Sequence, residues 1–231
     1  MNSKEYALIV AGGRGTRIKS DRPKQFLPLN GLPVLMRTIR AFYQYSPSIE
    51  IVLVLPQDQI DVWHSLCAEY NFDIQLTVQA GGETRFQSVK RGLEKMTEGL
   101  VAIHDGVRPL VSKEIIAKSF RMAAEKQSAV AAVSLKESIR IVDNESTSAV
   151  DRSRFKLIQT PQTFSVSLIR QAYDVTEDPA MTDDASVAEK AGHHISLFDG
   201  SYENIKITTM EDLVVAEALL ARKGSVDSSK K

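Results

Sequence analysis

The sequence has very little cysteine, no long apolar run and no segment of signal-peptide character. Cys67 is the single cysteine among 231 residues, which excludes an intrachain disulfide and favours a reducing compartment, the cytoplasm. It shares a helical spacing with Trp63, Leu66 and Tyr70, so we expect a core position rather than a nucleophile. No stretch approaches the roughly 20 apolar residues of a membrane span, and residues 1–6 lack an apolar segment. The sequence predicts no membrane attachment.

Excess charge of either sign is also absent. The 29 Lys and Arg residues balance the 29 Asp and Glu residues, so no global positive field is present to attract nucleic acid. Local basic clusters can still bind phosphate. With 43% hydrophobic and 25% charged residues, the composition is that of a globular protein.

Short apolar runs alternate with amphipathic helical patterns along the chain. The run at 7–10, ahead of Gly12, is typical of a buried strand that leads into a loop. Strands are predicted at 7–10, 51–55, 74–78, 100–104, 129–135, 195–198 and 205–208, and helices at 33–43, 60–70, 86–96, from 113, at 167–175, at 183–191 and from 209. This order predicts an α/β fold, a Rossmann-like and mainly parallel sheet with helices on both faces.

The alternation is interrupted between residues 136 and 159 by short polar segments of β character. Segments 138–142 and 155–158 flank the turn-rich tip 143–146, which predicts a protruding β-arm inserted in a single domain of residues 1–223. An isolated hairpin is marginal in water, so we expect the arm to pack against a second subunit in a homodimer. Residues 224–231 are predicted to be a disordered tail.

A glycine-rich loop follows the first strand. Backbone N–H groups around Gly12, Gly13 and Gly15 can converge on a polyphosphate, although glycines also serve simply to make a tight turn. Ile18 occupies the place of the third glycine of a dinucleotide fingerprint, and the second strand ends at 55–57 without an acid. No Gly-Lys-Ser/Thr sequence is present, so a dehydrogenase and a P-loop are both disfavoured.

Two cations lie close to these glycines in the sequence. Arg17 follows directly, and Lys24 comes after Pro23, which restricts the backbone. If a nucleoside triphosphate lies over the glycines, attack at its α-phosphorus builds charge that Arg17 and Lys24 can stabilise. Both are therefore candidate catalytic residues, and the alternative for Lys24 is a solvated surface lysine.

Ala11-Gly12-Gly13-Arg14-Gly15-Thr16-Arg17 with Pro23-Lys24-Gln25 is similar to the 2-C-methyl-D-erythritol 4-phosphate cytidylyltransferases of the non-mevalonate isoprenoid pathway. The resemblance extends from about Ala7 to Arg222. Further matching blocks, in order, are residues 81–89, 104–109, 150–152, 159–164, 182–186 and 204–208. Ordered blocks over nearly the whole chain are far more specific than any one of them.

The resemblance implies which residues contact CTP. The first loop would grip the triphosphate with Arg17 and Lys24, and the second glycine pair with its serine would face the cytosine and ribose. The implied CTP-binding residues are Ala11, Gly12, Gly13, Gly15, Gly81, Gly82, Glu83 and Ser88. From the residues alone, Gly81 and Gly82 could instead serve only to turn the chain.

For the acceptor, the resemblance implies cations and hydroxyls that suit a phosphorylated polyol. The implied residues are Asp105, Arg108, Ser138, Arg152, Thr160, Thr182 and Lys206. Arg152 would come from the arm of a neighbouring subunit, and Ser138 stands where the family usually has threonine. Thr182 is also a candidate helix N-cap, and Arg108 would be unremarkable as a surface arginine.

His104 and Asp105 close a predicted strand, at the edge where open α/β sheets bind ligands. Such a pair can belong to a metal phosphohydrolase, but His64, His193 and His194 lack matching spacing. We expect substrate contact for Asp105, near a Mg²⁺ carried mainly by the CTP phosphates. The metal ligands are left open, and other divalent cations could replace Mg²⁺.

The implied reaction converts CTP and 2-C-methyl-D-erythritol 4-phosphate to CDP-methylerythritol and pyrophosphate. An acceptor phosphate is already anionic near neutral pH, so no strong general base is needed. A ribitol-5-phosphate cytidylyltransferase is the near alternative, but blocks 150–152 and 182–186 favour the erythritol substrate. A non-catalytic nucleotide-binding protein would be expected to lose Arg17, Lys24 or Lys206.

Overall fold

A computed structural model describes residues 3–12, 22–144 and 146–228 of the chain. In chain order its elements are β1 (Glu5–Val10), β2 (Pro28–Leu29), β3 (Leu32–Pro33), α1 (Val34–Tyr45), β4 (Glu50–Leu55), α2 (Ile60–Glu69), β5 (Thr77–Ala80), α3 (Arg85–Leu93), β6 (Leu100–Asp105), α4 (Lys113–Lys126), β7 (Ser128–Ser134), β8 (Arg140–Asp143), β9 (Ser146–Ala149), β10 (Lys156–Ser165), α5 (Val166–Ala172), α6 (Asp184–Lys190), β11 (Leu197–Asp199) and α7 (Met210–Ser228). Gly13, Gly15 and Arg17 of the first glycine loop lie outside the described residues.

The described strands form a seven-stranded central sheet in the order β11-β7-β10-β6-β1-β4-β5. β10 is antiparallel to both of its neighbours, and the other neighbouring pairs are parallel. The predicted α/β class with a mainly parallel, Rossmann-like sheet is confirmed. The carboxyl ends of β1, β4, β5 and β6 meet at one edge, because these four strands run in the same direction.

Alternate residues of β1 belong to two different cores, one on each face of the sheet. Ala7 and Ile9 pack in a cluster with apolar residues of α1, α2 and α4. Tyr6 and Leu8 pack in a second cluster with α3, α5 and α6. Because both faces of β1 are covered, none of its central side chains faces solvent, and its sequence there is a continuous apolar run rather than an alternation of apolar and polar residues. Cys67 packs against the first core, and burial raises the pKa of its thiol.

Side-chain caps set the starts of several helices. The Ser112 hydroxyl accepts a hydrogen bond from the Ile115 amide at 3.3 Å, as expected for the cap of α4. At the start of α7 the predicted reciprocal cap is present, with the Thr209 amide donating to Asp212 at 2.8 Å and the Asp212 amide to Thr209 at 3.3 Å. α7 begins over a small apolar cluster that includes Leu213 and Ala216.

The arm differs from the prediction in its second strand. β8 pairs with β9, with Arg140 opposite Ala149, and both strands are exposed along their length. The segment at 155–158, predicted for the arm, belongs largely to β10, where Leu157 and Ile158 lie opposite Val133 and Ala132 of β7. Pairing of this segment with β7 outweighs the local turn signal at 143–146, because the long β10 strand satisfies more backbone hydrogen-bonding groups than a short hairpin strand would.

Other elements and boundaries also differ from the prediction. Residues 205–208 form no strand, although the Ile207 amide donates to the Val107 carbonyl at 2.9 Å. β5 starts at Thr77 rather than at residue 74. α7 continues past the predicted boundary at Gly224 to Ser228, because each added residue of a growing helix contributes another backbone hydrogen bond.

Candidate active site

A cavity of about 1100 Å³ opens at the carboxyl ends of the four parallel strands. Its lining includes Val10 and Asp105, the last residues of β1 and β6, and Ala11, Pro56 and Gly81, which directly follow β1, β4 and β5. Open α/β sheets bind ligands at this edge, because the loops after the strands diverge there and leave a crevice.

Many of the predicted site residues meet in this cavity. Those that line it are Ala11, Gly12, Lys24, Gly81, Gly82, Glu83, Ser88, Asp105 and Lys206. Arg108 and Thr160 lie behind Asp105 and contact it from below the surface. Ser138, Arg152 and Thr182 are not part of the lining. The fold therefore brings the described nucleotide-site candidates together with Asp105 and Lys206, whereas Ser138 and Arg152 near the arm, and Thr182 before α6, lie elsewhere.

The first glycine loop starts from a fixed position. The Ala11 amide donates to the Val54 carbonyl at 3.0 Å, which extends the pairing of β1 with β4. Gln25 is 1% exposed, and its amide nitrogen donates to the Ala11 carbonyl at 3.0 Å and to Gln59 Oε1 at 2.6 Å. Lys24 precedes Gln25 in a short 3-10 turn and borders the cavity. Gln25 was not predicted as a site residue, although it belongs to the Pro-Lys-Gln block.

The second glycine pair is closely packed against α3. A Cβ at Gly81 would lie 2.7 Å from Ser88 Oγ, so a larger residue would displace that hydroxyl. The Gly82 amide donates to Ser88 Oγ at 3.1 Å, and the Arg91 guanidinium donates to the Gly81 carbonyl at 2.5 Å. Ser88 thus organises the turn as well as facing the cavity. The absence of side chains at both glycines lets a planar ligand approach the backbone.

Asp105 interacts with two cationic side chains at the cavity. Its Oδ2 atom lies 3.0 Å from Arg108 Nε and 3.2 Å from Lys206 Nζ. Burial alone raises the pKa of this carboxyl, but Lys206, Arg108 and more distant Arg85 outweigh burial and hold the pKa well below its usual range. Asp105 is therefore ionised at neutral pH and unsuited to general acid catalysis.

His104 points into the core rather than into the cavity. Its ring is fully buried and meets Phe42 edge-on with a centroid distance of 5.0 Å. Burial lowers the pKa of His104 to about 4, so the ring is neutral at pH 7. The described residues contain no group of three or more His, Cys, Asp or Glu that could hold a metal ion. Nothing in this geometry supports the metal phosphohydrolase alternative.

Buried Asn204 joins the acceptor residues behind Asp105. Its side-chain amide nitrogen donates to the Thr160 backbone carbonyl at 2.7 Å, and the Asn204 backbone carbonyl accepts from the Arg108 guanidinium at 2.8 Å. Two residues later, the Lys206 side chain is 42% exposed and reaches the cavity from an irregular segment. The sequence pointed to Asn204 only through the block at 204–208, and its role as a connector depends on tertiary contacts.

The remaining predicted acceptor residues lie apart from the lining. Ser138 and Arg152 are exposed near the base of the arm, and Arg152 donates a hydrogen bond to the Lys136 carbonyl. Thr182 is exposed and is not the N-cap of α6. That position belongs to Asp183, which forms a capping box with Ser186.

Arg85 and Asp184 form a pair that the sequence did not predict. Arg85 lines the cavity, and its guanidinium donates two hydrogen bonds, of 2.8 and 2.6 Å, to the carboxylate of Asp184. Tyr173 donates a third hydrogen bond to Asp184 at 2.7 Å. Burial and the Asp184 charge raise the pKa of Tyr173. Both partners of the ion pair lie in motif blocks, but nothing in either block indicates that they meet.

The cavity combines backbone amides and basic side chains in a form that suits a nucleotide polyphosphate. Lys24, Arg85, Arg91 and Lys206 all line it. Together with the sheet order, this arrangement defines a nucleotide-binding α/β protein whose chemistry depends on positioning and charge.

Comparison with known proteins identifies the family. The model of the family 2-C-methyl-D-erythritol 4-phosphate cytidylyltransferase (IspD) matches residues 6–222. Enzymes of that name from Bacteroides fragilis and Bacteroides thetaiotaomicron are 49% identical over 215 residues and 47% identical over 218 residues. These alignments cover 93% and 94% of this chain and 98% and 100% of the relatives.

Solved structures agree with this family assignment. The structure of 2-C-methyl-D-erythritol 4-phosphate cytidylyltransferase from Thermus thermophilus superposes with a TM-score of 0.75 at 31% identity, covering 95% of this chain and 98% of that one. A 4-diphosphocytidyl-2C-methyl-D-erythritol synthase from Anaerococcus prevotii gives a TM-score of 0.79 at 28% identity, with 95% and 96% coverage. The chain belongs to the 2-C-methyl-D-erythritol 4-phosphate cytidylyltransferase family, and the resemblance found in its motifs is confirmed.

The chain is accordingly an enzyme of the nucleotidyltransferase class. Within the described part of the chain, no helix has both the length and the apolar character needed to cross a bilayer.

Proposed function

We propose that this chain transfers the cytidylyl group of CTP to 2-C-methyl-D-erythritol 4-phosphate, releasing pyrophosphate and forming CDP-methylerythritol for isoprenoid precursor biosynthesis. One observation carries the proposal: a single cavity is lined by Gly12, by the Gly81-Gly82 turn, and by Asp105 and Lys206. Its volume of about 1100 Å³ lies just above the roughly 300–1,000 Å³ typical of ligand sites. Two substrates can therefore occupy it together.

We place the nucleotide half of the site between Gly12 and the Gly81-Gly82 turn, which line the same cavity. We assign the triphosphate to Ala11, Gly12 and Lys24, and the cytosine and ribose to Gly81, Gly82, Glu83 and Ser88. The packing at Gly81 supports this assignment, since it leaves the backbone as the surface that a base would meet. Arg17, Gly13 and Gly15 are assigned from the motif, because they lie outside the described residues.

The acceptor half centres on Lys206. An oxygen of the acceptor phosphate attacks the α-phosphorus of CTP, the new P–O bond forms, and the bond to the pyrophosphate oxygen breaks. Lys206, at the rim of the cavity, would neutralise the attacking phosphate, and Lys24 would neutralise the departing pyrophosphate. Arg108 is nearly buried and already bonded to Asp105 and Asn204, so we assign it a positioning role.

The side chains that line the cavity suit a Mg²⁺ ion bound mainly by the nucleotide. Mg²⁺ prefers oxygen ligands, keeps several waters and commonly uses one or two carboxylates plus substrate phosphates. Asp105 is an ionised carboxylate at the cavity surface, but two cations already contact one of its oxygens. Bound Mg²⁺, or another divalent cation, would supply charge neutralisation across the triphosphate.

We further propose a homodimer in which the arm delivers Ser138 and Arg152 to the neighbour's acceptor site. The arm supports this idea because it exposes apolar side chains, with Ile141 54% and Val142 70% exposed. Neither Ser138 nor Arg152 lies in the cavity of its own chain. The cytoplasmic location expected from the single cysteine stays a prediction.

Pyrophosphate release with purified protein, Mg²⁺ and CTP tests the proposed function. Release is expected with 2-C-methyl-D-erythritol 4-phosphate and not with ribitol 5-phosphate, and not when ATP, GTP or UTP replaces CTP. Release only with ribitol 5-phosphate would keep the mechanism and change the acceptor. Absence of pyrophosphate release with every combination of nucleotide and acceptor would contradict catalysis and favour a non-catalytic nucleotide-binding protein.

Substitution of Lys206 tests the acceptor half. We expect Lys206→Met to raise KM for the acceptor at least ~10-fold, since a charge-assisted hydrogen bond to phosphate is lost, with KM for CTP little changed. Lys113→Met removes an exposed lysine at the start of α4 and is the control. Unchanged acceptor kinetics in Lys206→Met would show that the acceptor half is wrongly assigned.

A further inference from the structure

The ion pair between Arg85 and Asp184 joins two segments that lie 99 residues apart in the sequence. Arg85 is the first residue of α3 and directly follows the turn at 81–84, which we call the nucleotide turn. Asp184 is the first residue of α6 and directly follows residues 174–183, which we call the acceptor loop because it contains Thr182. The pair therefore connects one wall of the cavity to the end of this loop.

The same carboxylate closes the acceptor loop at its base. Tyr173 lies immediately before the loop, Asp184 lies immediately after it, and the Tyr173 hydroxyl donates to Asp184 at 2.7 Å. Lys90 of α3 donates to the Tyr173 carbonyl at 2.7 Å, so α3 holds the start of the loop as well. On the other side, Gln162 of β10 donates to the Asp183 carboxylate at 2.9 Å.

Stability alone does not explain the ion pair, because burying two charges costs free energy. Asp184 is fully buried, and removing two charges from water costs several kcal/mol per ion, which apolar packing of equal volume would avoid. What the pair adds is geometry, because two parallel hydrogen bonds from a planar guanidinium set both distance and angle. Burial lowers the pKa of Arg85, but the Asp184 charge outweighs burial and raises it, so the pair stays ionised.

We propose that Arg85, Asp184 and Tyr173 are positioning residues that hold the acceptor loop, and with it Thr182, at a set distance from the nucleotide turn. The proposal rests on the proposed function and on the acceptor contact that the family resemblance implies for Thr182. Loosening the base of the loop would spread Thr182 over more positions and weaken acceptor binding. CTP contacts would change little, because the nucleotide turn is held separately by Ser88, Arg91 and Leu55.

Tyr173→Phe is the smallest change that tests the idea. It removes one buried hydrogen bond to Asp184 and leaves the ring, so we expect KM for the acceptor to rise ~5-fold, as for loss of one hydrogen bond to a charged group. KM for CTP and kcat should stay within about twofold. Tyr45→Phe is the matched control, because its hydroxyl also donates to a carboxylate, that of Glu5, at the opposite edge of the sheet.

A double-mutant cycle with Thr182→Ala shows whether Tyr173 acts through Thr182. In the Thr182→Ala background, Tyr173→Phe should change KM for the acceptor by less than about twofold, since coupled positions are not additive. Additive effects, or equal increases of both KM values, would overturn the proposal. Activity of the unmodified protein is measured in parallel, so absence of turnover there counts against the proposed function.

Amide hydrogen exchange supplies a measurement that does not need turnover. Exchange across residues 174–183 should be several-fold faster in Tyr173→Phe than in the unmodified protein, because local opening at the base of the loop costs less. In Tyr173→Phe, exchange in the nucleotide turn at 81–84 should not change. In the Tyr45→Phe control, exchange in the acceptor loop should not change either. Unchanged exchange in the acceptor loop would overturn the proposal, whatever the kinetic outcome.

Discussion

Asp105 combines a buried position with two cationic partners on one oxygen, Arg108 and Lys206. Such a carboxylate cannot take up a proton near neutral pH, and its charge instead orients the two basic side chains. Lys206 is thereby kept at the cavity rim, where the proposed acceptor phosphate would bind. At the residue scale, the site is organised by charge pairing around the Asp105 carboxylate, which does not itself react.

Asp105→Asn should destabilise the protein, because it removes the negative charge that pairs with Arg108 and Lys206. We expect a loss of ~2–3 kcal/mol in the free energy of unfolding at pH 7, less than for a fully buried pair because Lys206 is partly exposed. Urea unfolding gives the value. Asp58→Asn, which alters an exposed carboxylate of the same cavity, is the control and should cost less than about 0.5 kcal/mol.

The difference in unfolding free energy between the unmodified protein and Asp105→Asn should depend on pH in a defined direction. Asp105 has a lower pKa in the folded protein than the roughly 3.9 of a free aspartate. Its stabilisation is therefore fully present above about pH 4, and it is lost as the pH falls further towards the folded pKa. A difference between unmodified and Asp105→Asn protein that shrank between pH 8 and pH 5 would contradict the charge argument.

At the scale of elements, the arm is the part of the described structure with the least support from its own chain. β8 and β9 pair only with each other in the described residues, and every side chain on them is exposed. A two-stranded hairpin is marginal alone, so a partner surface would explain both the exposed apolar residues and the persistence of the arm.

Val142→Lys should weaken self-association without unfolding the subunit. Val142 is 70% exposed, so a change there should alter subunit stability by less than about 0.5 kcal/mol, whereas a lysine in an apolar interface costs much more. Sedimentation should show the dimer dissociation constant raised at least ~10-fold. Val62→Lys, at a 45% exposed valine on α2, is the control. Equal behaviour of both variants would remove the arm from the interface.

On the scale of the whole molecule, ligand binding should stabilise the fold by mass action, with the metal acting through the nucleotide. Mg²⁺ alone is expected to leave Tm unchanged, since we propose that the metal is bound mainly by the CTP phosphates. CTP with Mg²⁺ at 100 times its Kd should add ~2.7 kcal/mol, or a Tm increase of roughly 5–10 °C. EDTA should reduce the increase, and UTP should reproduce little of it. A large shift with Mg²⁺ alone would indicate a protein-held metal site.

The sequence carried enough local information to predict the architecture. The apolar run of β1 and the caps at Ser112 and Thr209 are determined by neighbours within a few residues, so their patterns are visible without coordinates. The same holds for the turn at Gly81 and Gly82, since a closely packed backbone requires glycine there. Family membership followed from the order of such blocks and is confirmed by the comparisons.

Tertiary structure alone decided the features that depend on distant partners. The insertion of β10 between β6 and β7 depends on which backbone edges remain unpaired, and no local pattern records that. Likewise the pairing of Arg85 with Asp184 and the connector role of Asn204 join residues from separate blocks. Local patterns were therefore enough to predict the fold class and the turn at Gly81 and Gly82, because both depend on neighbouring residues. Only folding decided how the walls of the cavity are held together, because that depends on contacts about 100 residues apart.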